Sequence, residues 1–323
     1  MEINRRNIRI LSLSGSRGAC AKGLEEVLEQ DKQAILMTAD LGEFTGIAPI
    51  SEKYPKQYLN LGIAEQNMIG VAAGMAKDGW HVYATTYANF LTMRAYEQIR
   101  INMGYMKLPV KLIGSSGGLG MEVLGNTHYA IEDIALMRAI PGMTIISPAD
   151  GLETVKAIQA VSNYNKPVYI RLSGEMNQPV IYKEDYKFQI GKTVVLKEGG
   201  DITIFVTGSM VHQALQVSKL LEEKNVYAEV VNVHTIKPLD SNEIYEHVQG
   251  KKLIVTMEEH SIVGGLGSAI LETLAAYNIP KTILCGIPDK FLKVGSYPYL
   301  LEQCGLKVNQ IFQKIMDVVP CVR

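Results

Sequence analysis

Short aliphatic and β-branched runs alternate with helix-periodic segments along almost the whole chain, and few folds accommodate that grammar. In the first half the strand-like runs fall at residues 34–39, 58–61, 82–86, 110–115, 143–147 and 168–172. The helical patterns lie near 19–30, 63–77, 91–103, 131–139 and 151–162. Parallel strands need long crossovers, and a helix of this length supplies one, so the pattern predicts a mostly parallel sheet covered by helices on both faces. The second half repeats the pattern. Strands are expected at 202–207, 228–233, 253–257 and 282–285, with helices at 212–223, 241–249 and 266–277. The polar stretch 173–187, which carries Pro179, is the best linker, placing a boundary near Lys187 between domains 1–187 and 188–323.

The 323 residues, 47% hydrophobic and 20% charged, are enough for two buried cores. A net charge of −1 and the lack of a basic run argue against nucleic acid or an anionic membrane as partner. The longest apolar runs are strand-sized, and charges occupy the first nine residues where a signal peptide needs an apolar core, so a cytoplasmic location is expected. Cys20, Cys285, Cys304 and Cys321 form no C-x-x-C pair and read as free thiols; no metal site is expected from this chain's residues.

Three stretches carry more than packing. In 60–74, a helix expected from about Ile63 puts Glu65 in its first turn, where the helix dipole favours a carboxylate. Alone, such a glutamate is ordinary helix punctuation, but burial among Ala64, Met68 and Ala72 would demand a dedicated partner. In 85–100, Tyr87 and Phe90 lie three apart where a strand gives way to a helix, and α/β folds bind ligands at such strand ends. Such a pair can stack a flat heterocycle or simply fill a core. The third stretch, 117–129, is a glycine-rich loop ending at His128, which could donate to a substrate oxygen or carry a proton. Gly-Gly-Leu-Gly at 264–267 lacks the order and the Lys-Ser/Thr ending of a phosphate loop, so close helix packing is the better reading. His260 is read as a structural histidine.

Taken together, Gly-Ile-Ala-Glu-Gln-Asn-Met, Phe-x-Thr-x-Arg-Ala-Tyr-x-Gln-Ile-Arg, Thr-His, Glu-Asp-Ile-Ala-Leu-Met-Arg-Ala-Ile-Pro and Ser-Pro-Ala-Asp resemble the C-terminal half of transketolase. The match is closest to split transketolases, whose halves are separate polypeptides, and it spans essentially the whole chain. The resemblance implies an α/β fold of two doubly wound domains, a pyrimidine-binding domain followed by the transketolase C-terminal domain. The β subunits of 2-oxo-acid dehydrogenases and 1-deoxyxylulose-5-phosphate synthase share this architecture but fit the motifs less well.

The same resemblance implies thiamine diphosphate as cofactor, held between this chain and a partner. Glu65 would hydrogen-bond the aminopyrimidine ring nitrogen and promote loss of the thiazolium C2 proton. Tyr87 and Phe90 match positions that enclose the pyrimidine, and Asp40 and Leu41 match residues that reach the cofactor across the interface. The family anchors the diphosphate through Mg2+ (or Ca2+) with a Gly-Asp-Gly motif. This chain has none; Gly200-Asp201-Ile202 is only a fragment at the wrong end. An N-terminal transketolase subunit carrying the diphosphate domain is therefore implied as partner, in a two-plus-two heterotetramer. Gly70, Ala73, Gly74 and Ala76 would allow close helix contact there.

At the substrate positions the chain departs from the family. Transketolases read Gly-Glu-Asp-Gly-x-Thr-His where this chain has Glu122-Val123-Leu124-Gly125-Asn126-Thr127-His128, so Leu124 replaces an aspartate that contacts sugar hydroxyls. Two basic phosphate-binding positions align near Ser116 and Gly174. Arg17 keeps its match, and Arg171 or Arg94 could compensate. Losing charge-assisted contacts weakens phosphate binding. The expectation is a transferase moving a two-carbon unit from a ketose or 2-oxo acid donor to an aldehyde or sugar acceptor, with a non-standard substrate. The alternatives are a 2-oxo-acid dehydrogenase β subunit and an inactive regulatory paralogue.

Overall fold

The computed structural model describes residues 2–173 and 178–321, and the Cys321 side chain is outside that description. Twelve strands among these residues form two sheets. They are β1 (Ala34–Thr38), β2 (Tyr58–Asn60), β3 (His81–Tyr87), β4 (Lys111–Gly117), β5 (Thr144–Ile146), β6 (Val168–Ser173), β7 (Val194–Lys197), β8 (Ile202–Val206), β9 (Ala228–Asn232), β10 (Thr235–Lys237), β11 (Leu253–Ser261) and β12 (Lys281–Ile287). The first sheet runs β10-β5-β6-β4-β3-β1-β2 and the second β12-β11-β8-β9-β7. All pairings are parallel except β10 with β5 and β7 with β9.

Parallel strands buried on both faces must be apolar at consecutive positions, and β1 shows why. Ile35 and Met37 point into one core with Met68, Ile69 and Ala72, while Leu36 points into another with Leu24, Leu28, Ile158 and Val161. The first group includes α3 (Glu65–Lys77) and α5 (Asp133–Ala139); the second includes α1 (Arg5–Gln30) and α6 (Gly151–Ser162), the short helices α2 (Ala48–Lys53) and α4 (Tyr96–Ile99) lying between these along the chain. Asp150 caps α6, its carboxylate accepting from the Glu153 N–H at 2.9 Å. The second sheet is covered likewise. Val211, Ala214 and Val217 of α7 (Met210–Glu222) pack on one face, and Ile244, Leu266 and Ile270 on the other.

Several local expectations change. Helix α3 starts at Glu65 rather than Ile63: Ala64 is its non-helical cap, and Ile63 is 81% exposed. Helix α1 extends back to Arg5 across a break at Gly15, whose φ of +67° suits glycine. Residues 90–105 wind partly as wide π turns, at Phe90–Arg94 and Arg100–Tyr105, an irregularity frequent near functional sites. The stretch after Gln178 is pinned rather than loose: Asp150 Oδ2 accepts from the N–H groups of Ile181 and Tyr182, and Tyr182 stacks on Tyr186. The glycine motif at 264–267 serves packing and capping, since Glu258 accepts from the Leu266 and Gly267 N–H groups. Cys20, Cys285 and Cys304 are free thiols. No helix among the described residues is long and apolar enough to cross a membrane.

Candidate active site

Glu65 sits at the start of α3, 2% exposed, where the unsatisfied first-turn N–H groups give a positive end. It is not unpaired. Arg94 Nη1 donates to its Oε2 at 2.8 Å, and the same guanidinium lies 4.3 Å from the centre of the Phe90 ring. The Gln66 side-chain amide donates to the Arg94 carbonyl at 3.1 Å, tying the arginine's backbone to α3.

Tyr87 ends β3 and Phe90 opens the π turn that follows, so the two are not on one helical face. The turn nevertheless brings their ring centres to 5.8 Å. His128 completes a trio, 5.3 Å from Phe90 and 6.4 Å from Tyr87, edge-on to both. Its Nδ1 is 2.9 Å from the Thr127 hydroxyl, and the Asn89 side-chain amide donates to the Thr127 carbonyl at 2.8 Å. Burial pushes the Tyr87 phenol above its ordinary range, with the positive charge of Arg17 acting in the opposite direction. Arg17 donates to the Phe44 carbonyl at 2.6 Å.

Asp40 has φ +57° and exchanges hydrogen bonds with Asn60: its N–H and its Oδ1 each lie 3.0 Å from that amide side chain. Asn60 Oδ1 also accepts from the Gly62 N–H, which couples the Asp40-Leu41 turn to the approach to α3. Leu41 is half-buried beside it. Asn60 and Asn89 were missed by sequence reasoning; the only signal was an amide residue at a strand end next to a recognised motif.

The substrate positions divide. Leu124 is 49% exposed on the loop that ends at His128. Ser116 is buried at the end of β4 with φ +56°. Gly174 lies outside the described residues. Arg171 must be corrected: it is 1% exposed, and its guanidinium donates to Asp133 Oδ2 at 2.8 Å and to the carbonyls of Ala130 and Glu259. Buried and paired with Asp133 inside the protein, it does not face a phosphate from solvent. Arg94 and Arg17 keep exposed surface. His260 is internal, its Nδ1 2.7 Å from the Ser261 carbonyl, and burial pushes its pKa down to about 4. Asp201 pairs with Lys252 at 3.1 Å. Among the described residues no group of three or more His, Cys, Asp or Glu side chains is placed to hold a metal ion.

A buried carboxylate with one oxygen engaged and an aromatic trio beside it suit a flat, nitrogen-bearing heterocycle. The carboxylate can meet a ring nitrogen and the rings can cover its faces. On α3, Gly70 and Gly74 are exposed one turn apart with open space around them, which leaves that helix surface flat.

Comparison with known proteins places these features. Residues 15–178 match the family described as transketolase, pyrimidine binding domain, and residues 191–311 match transketolase, C-terminal domain. One of the subunits of the apulose-4-phosphate transketolase of Phocaeicola vulgatus is 35% identical over 93% of this chain and 97% of that protein. The 6-deoxy-6-sulfo-D-fructose transketolase subunit of a Clostridium species is 36% identical, covering 91% of each chain. A solved split-gene transketolase, described as an inactive β4 tetramer, superposes with a TM-score of 0.88 at 36% identity, covering 96% of this chain and 100% of that one. With two α/β domains matched in order and relatives aligned nearly end to end, the chain belongs to the transketolase family, as a subunit of the split type.

Proposed function

We propose that this chain is the pyrimidine-binding half of a two-subunit, thiamine diphosphate-dependent transferase that moves a two-carbon unit between a ketose or 2-oxo acid donor and an aldehyde or sugar acceptor. The observation that carries the proposal is Glu65, buried at a helix start with Oε2 fixed by Arg94 and, among the described residues, no side-chain donor on Oε1. When bound, the cofactor supplies a nucleophilic carbon and holds the charge left after bond cleavage. This chain's residues do the rest of what falls to it. Glu65 Oε1 takes the ring nitrogen, sharing a proton with it. Tyr87 and Phe90 enclose the ring and exclude water. His128 faces the donor, and Asp40 and Leu41 reach toward the cofactor from the turn after β1. Residues 1–187 form the pyrimidine-binding unit and 188–323 the C-terminal unit.

The diphosphate and its Mg2+ belong to an N-terminal partner subunit, which docks on the flat Gly70 and Gly74 face of α3 in a two-plus-two assembly. The substrate is non-standard. Leu124 cannot accept a hydroxyl hydrogen bond, Ser116 carries no charge, and the Arg171 guanidinium is internal. Relatives named for apulose 4-phosphate and 6-deoxy-6-sulfo-D-fructose support a split subunit serving unusual sugars. Steady-state assays of the reconstituted pair with xylulose 5-phosphate and with pyruvate test this. The expected result is weak turnover of xylulose 5-phosphate; high activity with it and none with pyruvate or an unphosphorylated ketose would sink the substrate assignment.

A further inference from the structure

The loop between β4 and α5, which carries Leu124 and His128, leaves the first domain and enters the second. Leu119 and Tyr129, near its two ends, are buried in the core built on the second sheet. There the loop meets Glu259 of β11, itself buried. Glu259 Oε1 accepts from the Leu119 N–H at 2.6 Å, and Oε2 accepts from the hydroxyls of Ser209 and of Tyr297, the latter at 2.7 Å. A Cβ on Gly118 would fall on this carboxylate, and Gly118 has φ +79°, so both space and backbone require glycine there. Arg171 ties the same region from below, donating to the carbonyls of Ala130 at 3.1 Å and Glu259 at 2.9 Å.

Two further links lie closer to His128. Asn126 donates to the Leu292 carbonyl at 2.7 Å and accepts from its N–H at 3.2 Å. The Tyr297 N–H donates to Glu122 Oε1 at 2.7 Å. The residues assigned to the pyrimidine, Glu65, Tyr87 and Phe90, all sit on the first domain. The cofactor groups thus sit on the first domain, whereas the substrate loop, held to the first domain through Asn89, is also anchored on the second.

We propose that Glu259 is a positioning residue of the reaction, through which the second domain fixes the donor-facing loop, with Asn126 as its peripheral counterpart. The inference rests on the reading of His128 as a donor-facing group. A fully bonded buried carboxylate is a rigid support, and misplacing a reacting group by about 1 Å costs on the order of 100-fold in rate. Removing Glu259 frees the loop without touching Glu65.

The test compares Glu259→Ala, Glu259→Gln and Asn126→Ala in the complex reconstituted with the N-terminal subunit and thiamine diphosphate. Donor kcat/KM should fall about 10- to 100-fold in Glu259→Ala and several-fold in Asn126→Ala, with partial recovery in Glu259→Gln. Exchange of the cofactor C2 proton should stay within about twofold of wild type, because it depends on Glu65. Amide hydrogen exchange across 118–128 should quicken while that of α3 does not. Asn126 is exposed, so its variant tests the idea even if Glu259→Ala folds poorly. Donor kcat/KM unchanged in both alanine variants, or C2 exchange falling in step with turnover, overturns the proposal. Should the wild-type complex show no C2 exchange at all, the functional reading fails instead; loop amides that exchange as in wild type then overturn the positioning role on their own.

Discussion

Arg94 reaches Glu65 Oε2 at 2.8 Å while its guanidinium rests 4.3 Å from the Phe90 ring centre, so one cation both orients the carboxylate and covers an aromatic face. The arginine side chain is 48% exposed and the glutamate 2%, which makes the pair asymmetric: losing the arginine strands a buried charge. Arg94→Leu should therefore lower the stability of the chain. A charged hydrogen bond is worth about 1.5–3 kcal/mol, and solvent screening of the exposed partner brings the expected loss to about 1 kcal/mol. Urea denaturation checks this, and an unchanged midpoint contradicts the pairing.

Arg171 and Asp133 form the opposite case, a pair with both members buried. Asp133 Oδ2 also accepts from the Tyr169 hydroxyl at 2.6 Å. Arg171→Met leaves that carboxylate without its cation, and removing one partner of a buried pair costs about 3–5 kcal/mol. Thermal denaturation should show a large loss of Tm. A drop in phosphate affinity with stability unchanged would instead return Arg171 to the substrate site.

Leu124 gives the test of specificity. Leu124→Asp restores an acceptor on an exposed loop position, where the substitution costs little stability. Sites built to bond a hydroxyl discriminate strongly for it, so the ratio of kcat/KM for a polyhydroxy ketose over pyruvate should rise at least about tenfold. A ratio that does not move separates Leu124 from donor choice.

His234 supplies a pH dependence. It is buried, stacked 4.2 Å from Phe188, with its Nε2 unpartnered among the described residues, and burial pushes its pKa down to about 4 against a weaker upward pull from Glu243. The unfolded chain, with an ordinary histidine near 6.5, binds the extra proton first. Stability from this group is therefore full above about pH 6.5 and is lost as the pH falls toward 4, by up to about 3 kcal/mol. Melting curves of wild type and His234→Gln across that window should differ in slope, the variant being flatter.

The core of the fold was legible because parallel strands covered on both faces must be apolar at successive residues, as Ile35, Leu36 and Met37 are. Strand β10 was not: Thr235–Lys237 is three residues long, and its pairing with Ile145 and Ile146 comes from the other half of the chain. At the site, motif order pointed to Glu65, Tyr87, Phe90 and His128, and the structure brings the three rings together. What the sequence could not carry were long-range partners. Nothing local to Arg171 says that Asp133 lies beneath it, and nothing local to Gly118 says that Glu259 fills the space where a side chain would go.

The central claim is that Glu65 activates a cofactor shared with a second subunit. It is tested most directly by C2-proton exchange of thiamine diphosphate, measured by NMR in the reconstituted complex of wild-type or Glu65→Ala chain with the N-terminal subunit. Loss of a positioned proton-transfer group costs about 100- to 10,000-fold, so wild type should accelerate exchange and Glu65→Ala should lose at least about 100-fold of it with the complex still assembled. Exchange equally fast in Glu65→Ala would contradict the account.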